Sequence, residues 1–338
     1  MISLLAVRDV TVRFPTEGAP VYAVDRVSFD LQAHEVLAVV GESGCGKSLL
    51  ALSILGLVPP PGEILEGSVL LEGIDLTRLT APALRAIRGK HIGMVFQEPM
   101  TSLNPVFTVG RQIGDVLRRH EGLGRREARA RTLELLSRVG IPAPRQRIDE
   151  YPHQLSGGMA QRVMIAIAIA CHPRLLIADE PTTALDVTIQ AGILRLLLDL
   201  RDRLGMAILL ITHDLGVVAD VADRVMVMYA GRKVEAAPAE DLFDAPQHPY
   251  TLGLFGAVRY PGRVPEDGRP RRLRDIPGLV PIRREPADHC IFFPRCPRGD
   301  ARCQTELPVL EIRRPGHEAA CFHPGPEASG SAPRPPAS

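Results

Sequence analysis

The chain has 338 residues, and 40 Lys and Arg stand against 39 Asp and Glu, so a formal charge of +1 supplies no strong field for nucleic acid or an anionic membrane. That length is material for about two domains, and 45% of the residues are hydrophobic, as a well-packed chain requires. No apolar run reaches the roughly 18 to 20 residues of a spanning helix; the longest, Val163 to Cys171, reads as a core helix segment. The segment Ile2 to Val12 is strand-like, not a charged stretch followed by an apolar one, which predicts a cytosolic chain.

Val36 to Val40 is a short β-branched run that reads as a buried strand, and Ser48 to Leu57 is apolar at helical length. Between them Gly41-Glu42-Ser43-Gly44-Cys45-Gly46-Lys47-Ser48 fits G-x-x-x-x-G-K-[ST], the phosphate-binding loop. Glycine allows positive φ and close approach, so the amides of Gly44, Cys45 and Gly46 are expected to converge on one anion. Lys47 would reach the β and γ phosphates, with Ser48 on magnesium. The Arg-rich stretch Arg111 to Arg138 reads as solvated helical faces.

Further on, Leu155-Ser156-Gly157-Gly158-Met159-Ala160-Gln161 precedes the apolar run Val163 to Ala170. A serine and two glycines at a helix start make a second anion site. Leu175 to Asp179 is an apolar strand ending in the carboxylates Asp179 and Glu180, where an open α/β sheet presents ligands. His213 follows the apolar strand Ala207 to Ile211 and is suited to a γ-phosphate contact.

Past about residue 237 the chain turns rich in Pro and Arg, and its periodicity shows only an irregular, turn-rich segment. Four of the six cysteines lie there: Cys290, Cys296, Cys303 and Cys321; Cys45 is in the loop, and Cys171 is expected in a buried helix. Clustered thiols in a cytosolic chain suggest metal over disulfides. There is no C-x-x-C pair, so zinc-ribbon spacing is absent, and iron–sulfur, zinc and merely buried thiols all stay open on spacing alone.

Six segments stand in a fixed order: Gly41 to Ser48, Gln97 within Met94-Val95-Phe96-Gln97-Glu98-Pro99, Leu155 to Gln161, Leu175 to Asp179 followed by Glu180, Ala184-Leu185-Asp186, and Thr212-His213-Asp214. On these the chain resembles the ATP-binding subunits of ABC transporters, over roughly residues 1 to 250. Gln247-His248-Pro249-Tyr250-Thr251, Ile276-Pro277-Gly278 and Glu98-Pro99-Met100-Thr101-Ser102-Leu103-Asn104-Pro105 resemble the oligopeptide and dipeptide importer branch, which nickel-chelate importers share.

The resemblance implies an α/β fold, a P-loop NTPase of the ABC ATPase type over 1–236: a mixed sheet core, an antiparallel β subdomain, and a helical signature subdomain at about 98–165 that docks a transmembrane subunit. It implies a small irregular Cys-containing extension over 237–325 and a disordered tail at 326–338. By the same resemblance Phe14, with Tyr22 as substitute, stacks on adenine; Gln97, Ser48 and Asp179 hold magnesium, Asp179 through water; Glu180 activates water; and His213 steadies the γ-phosphate. Ser156, Gly157, Gly158 and Gln161 would complete the nucleotide site of a partner cassette, because two such domains associate head to tail. The four C-terminal cysteines would hold a [4Fe–4S] cluster.

The implied activity is ATP hydrolysis that drives uptake of di- or oligopeptides at the cytoplasmic face of the inner membrane. The implied partners are a second ATPase, commonly a paralogue, two permeases and an extracytoplasmic substrate-binding protein, with no nucleic acid. Soluble ABC ATPases acting on nucleic acid or ribosomes usually carry two cassettes or a long coiled-coil insertion, and this sequence has neither.

Overall fold

The computed structural model describes residues 3–183, 185–256 and 276–325; Ala184 and the expected tail at 326–338 lie outside the described residues. Twelve strands occur among them: β1 Leu5–Phe14, β2 Val21–Leu31, β3 Val36–Val40, β4 Glu63–Leu71, β5 Ile74–Asp75, β6 Ile92–Val95, β7 Leu175–Asp179, β8 Ala207–Ile211, β9 Arg224–Tyr229, β10 Arg232–Pro238, β11 Glu311–Arg314 and β12 His317–Ala319. They form two sheets. The smaller, in the order β2-β1-β4-β5, is antiparallel throughout; the larger runs β11-β12-β10-β9-β3-β8-β7-β6 and is mixed.

The apolar runs are continuous because the central strands are covered on both faces, and alternate side chains feed different cores. Leu175 and Ile177 of β7, with Leu209 and Ile211 of β8, join a cluster under the antiparallel sheet. Leu176, Ala178, Ile208 and Leu210 face the opposite way, toward the helices. On β9, Met226 and Met228 take the first face, whereas Val225, Val227 and Tyr229 face a third cluster built with Tyr250 and Phe292 of the extension.

Parallel pairing puts the strand ends in one row. Val95 pairs with Ala178, Asp179 with Ile211, and Val39 with Ile211, so Gln97, Glu180, Thr212 and Gly41 all emerge just beyond the same carboxyl edge of the sheet. That edge is where an open α/β sheet binds ligands.

Helices Pro99–Ser102, Val109–Glu121, Arg125–Arg138 and Gly157–Ala168 pack against one another, and the last also touches β6. The Arg-rich stretch is indeed helical, and the arginines lie outward while Ile113, Leu117, Leu135 and Leu136 are buried. The core helix ends at Ala168, so Cys171 sits in the following turn and not in the helix. His172 there takes φ 50° immediately before Pro173, and a residue before proline resists the α-helical region. The extension also contains order that periodicity did not reveal: β12 pairs antiparallel with β10, which continues the large sheet. No described helix is long and apolar enough to cross a membrane.

Candidate nucleotide site

The phosphate loop leaves β3 and enters the helix Lys47–Ile54. Gly46 caps that helix with φ 101°, and a Cβ there would lie 2.2 Å from the carbonyl oxygen of Ala23, so backbone conformation and space both require glycine. Gly44 also has positive φ, and with Ser43 it forms the exposed crest of the loop. The Cys45 amide donates to the Glu42 carbonyl at 3.3 Å, and its thiol is buried. The Lys47 ammonium is buried and donates to the carbonyls of Gly41 at 2.8 Å and Glu42 at 3.0 Å.

Ser48 projects from the first turn of that helix, and its hydroxyl donates to Asp179 Oδ1 at 3.0 Å. Burial pushes the Asp179 carboxyl above its ordinary value, with the Ser48 hydrogen bond opposing. A buried carboxylate beside a hydroxyl and short of compensating charge fits a hard divalent cation with oxygen ligands.

Next along β7, Glu180 takes φ 46°, a left-handed conformation that turns its side chain at the strand end. Its Oε2 accepts from Gln97 Nε2 at 3.0 Å and from Thr183 Oγ1 at 2.8 Å; Oε1 lies 3.1 Å from His213 Nδ1. Burial raises its pKa, but the hydrogen bonds from Thr183 and His213 and the charges of His213 and Lys47 outweigh that, leaving Glu180 below the usual carboxylate range. Gln97, Glu180 and His213, far apart in sequence, therefore form one constellation. Thr183, three residues from Glu180 and within the same motif, joins it with a role that the motif alone did not assign.

The second anion site stands apart from the first. Ser156 caps the helix Gly157–Ala168, accepting from the Met159 amide at 3.3 Å, and Ser156 and Gly157 are exposed. Gly158 is buried: a Cβ on it would come within 3.0 Å of Ile189. Gln161 is buried in the first turns of the helix. The helix that follows the phosphate loop packs on β1, β2 and β7; the one that follows Ser156 packs in the helical subdomain.

Phe14 pairs with Val21 across β1 and β2, and its ring edge lies over Gly62, where a Cβ would meet Cε1 at 2.5 Å. Tyr22, on the opposite face, precedes Ala23, whose carbonyl rests on Gly46.

In the extension, Cys303 and Cys321 are buried, and Cys290 and Cys296 are half-buried. Burial raises all four thiols, and thiolate charge on the neighbours raises each further; Cys321 is pushed up to about 12. Cys290 and Cys303 are tied by a backbone hydrogen bond of 3.1 Å. Among the described residues, the His, Cys and carboxylate donor atoms that gather in threes within 4.8 Å of one another belong to Asp300, Cys303 and His323, not to three thiols.

The extension also reaches the phosphate loop. The Glu42 amide donates to Tyr250 Oη at 2.8 Å, and Arg295 makes a bidentate pair with the Glu42 carboxylate at 2.7 and 2.8 Å. Sequence reasoning quoted Tyr250 only within a motif and missed Arg295, whose partner is 253 positions away.

An ABC transporter family profile matches residues 24–183, and the oligopeptide/dipeptide transporter C-terminal region matches 234–303. A probable peptide ABC transporter ATP-binding protein of Sinorhizobium fredii is 52% identical over 94% of this chain and 94% of its own length. The dipeptide transport ATP-binding protein DppD of Escherichia coli is 48% identical over 96% of this chain and 97% of its own. Among solved structures, the dimeric post-hydrolysis state of the ATP-binding cassette MJ0796 bound to ADP and Pi has a TM-score of 0.63 at 30% identity, covering 70% of this chain and 98% of that one. The chain therefore belongs to the ABC transporter family, as an ATPase cassette that carries the oligopeptide/dipeptide transporter C-terminal region.

Proposed function

We propose that this ABC ATPase powers an importer of di- or oligopeptides across the cytoplasmic membrane, docked peripherally on its inner face. The observation that carries the reading is the Glu180 constellation set beside Lys47 and the Ser48–Asp179 pair. Lys47 and the loop amides bind the ATP phosphates. Ser48 and Gln97, with Asp179 through water, would hold magnesium, which would supply positive charge against the phosphates. Glu180, ionised and held from three sides, takes the proton of the attacking water, while His213 stabilises the charge on the departing γ-phosphate. Phe14 supplies an apolar face for adenine.

Ser156, Gly157, Gly158 and Gln161 serve the nucleotide of a partner cassette, in keeping with the dimeric arrangement reported for MJ0796. We assign that partner as a paralogue, and the remaining partners as two permeases and an extracytoplasmic binding protein. Peptide cargo follows from the names of the relatives and from the matching C-terminal region. A complex purified through this chain is expected to contain two permeases and to hydrolyse ATP faster when a peptide-loaded binding protein is added. Failure of peptides to stimulate, with stimulation by a nickel chelate instead, would move the cargo to metal.

The four C-terminal thiols we assign to a [4Fe–4S] cluster held by Cys290, Cys296, Cys303 and Cys321. A tetrahedral zinc, with Zn–S bonds of about 2.3 Å, needs its sulfurs about 3.8 Å apart. Among the described residues no three of the thiols gather within 4.8 Å of one another, so the four-thiol donor set is assigned to the larger guest. Such a cluster supplies a rigid cross-link and one-electron chemistry. Anaerobically purified chain should contain iron and acid-labile sulfide at about four each and absorb near about 400 nm. Cys296→Ser should abolish both, and wild-type protein with neither would overturn the assignment.

A further inference from the structure

Arg295 lies on the short turn Phe293–Arg295, between Cys290 and Cys296, and is 8% exposed. All five guanidinium N–H groups have acceptors: Nη1 and Nη2 take the two Glu42 oxygens, Nη1 also reaches Tyr229 Oη at 3.5 Å, Nη2 reaches the Ile276 carbonyl at 3.2 Å, and Nε reaches the Pro277 carbonyl at 2.8 Å. A planar fork on a carboxylate fixes orientation as well as distance.

Tyr250 completes the grip. Its ring is fully buried against Tyr229 and Phe292, with centroids at 4.7 and 5.5 Å, and its hydroxyl accepts the Glu42 amide. Glu42 is the second residue of the phosphate loop, and its carbonyl is one of the two that hold the Lys47 ammonium. Its amide, carboxylate and carbonyl are thus each constrained, the first two from the extension and the third by Lys47.

We propose that Arg295 and Tyr250 are positioning residues for ATP: the extension clamps Glu42 and so sets the phosphate loop and Lys47 in the geometry that receives the nucleotide. The clamp lowers the ordering cost of binding, since a loop already in place has less freedom to lose. It also couples the turn between Cys290 and Cys296 to the nucleotide site, so the order of the thiol-bearing segment and the affinity for ATP rise and fall together. This rests on the reading that the phosphate loop binds ATP, and the test separates the two.

The test uses the full-length chain, MgATP binding read with a fluorescent ATP analogue, and circular dichroism to choose a temperature at which each variant is folded. Arg295→Met and Tyr250→Phe should each weaken binding about tenfold, because a small displacement of a positioned group is costly. Arg295→Lys, which keeps the charge but not the fork, should recover part of the loss. Glu42→Gln combined with Arg295→Met should be no worse than Arg295→Met alone, as expected for two ends of one contact. Tyr250→Phe removes one oxygen and keeps the ring, so it reports even if Arg295→Met does not fold. Lys47→Ala should abolish binding. Folded Arg295→Met and Tyr250→Phe within about twofold of the parent, beside a Lys47→Ala that has lost binding, would overturn the clamp alone. Full additivity of the Glu42 and Arg295 losses would also overturn it. Normal binding by Lys47→Ala would overturn both the clamp and the assignment of the loop.

Discussion

Glu180→Gln is expected to lower steady-state hydrolysis by the assembled transporter about 10²- to 10⁴-fold, the range a positioned general base contributes, while leaving ATP binding intact. The substitution is nearly isosteric. Its remaining oxygen can still accept from Gln97 and Thr183, as Glu180 Oε2 does, and its new amide can face His213 Nδ1 in the other tautomer. The phosphate loop, Lys47 and the Ser48–Asp179 pair are untouched, so the nucleotide still enters. What disappears is the carboxylate that takes a proton.

ATP that enters and is not cleaved keeps bridging two cassettes, so the variant mixed with its partner cassette should elute as a closed dimer in MgATP and as separate subunits without it. Phosphate release by the assembled complex and size-exclusion chromatography of the two mixed cassettes read the two effects separately. The depressed pKa gives a pH signature as well. A base whose pKa lies below the usual carboxylate range stays competent above that value and fails only as pH falls through it, so its acid limb should appear below the range of an ordinary glutamate. Near-normal hydrolysis by Glu180→Gln in the complex would remove Glu180 from its role.

The parts of this molecule that were legible in the sequence are those in which the local pattern and the tertiary demand coincide. Strands β3, β7 and β8 read correctly because both faces are buried, so every position is apolar and the run has sharp ends. The phosphate loop is legible because Gly46 has no alternative: its φ and the carbonyl of Ala23 both forbid a side chain. Contacts between distant segments left no such trace. Glu235, fully buried, is satisfied by the amides of Gln247 and His248 and by His317 Nε2, and this polar knot is what draws β12 onto β10. Strand β12, a buried histidine followed by the half-buried Glu318 and an alanine, beside the polar Glu311–Arg314, carries no apolar alternation to detect. The Asp25 carboxylate, held by Arg232 and by Arg283 of the extension, is hidden in the same way. Charge pairs of this kind fix how the extension sits on the cassette, and a one-dimensional pattern reports neither partner of them.

Ser156→Arg is the second large effect, and its outcome separates assembly from binding. Ser156 is exposed at the start of a helix that packs on the other helices of the helical subdomain and on β6, whereas the helix that begins at Lys47 packs on β1, β2 and β7. An arginine there costs the cap that accepts the Met159 amide, roughly 1 kcal/mol of local helix stability. It also places a long cation where the exposed hydroxyl and glycine backbone would meet the γ-phosphate held by the partner. ATP binding by the isolated subunit should stay within about twofold of wild type, as for a surface change remote from the ligand. Hydrolysis at the composite site should fall about 10²-fold or more, the scale set by losing preorganised donors to a transition state. Because the damaged surface serves the partner's nucleotide, combining Ser156→Arg on this chain with an intact partner should silence the partner's site while the one on Lys47 still fills. Loss of ATP binding by the isolated variant would place Ser156 beside its own phosphate loop and contradict the head-to-tail pairing.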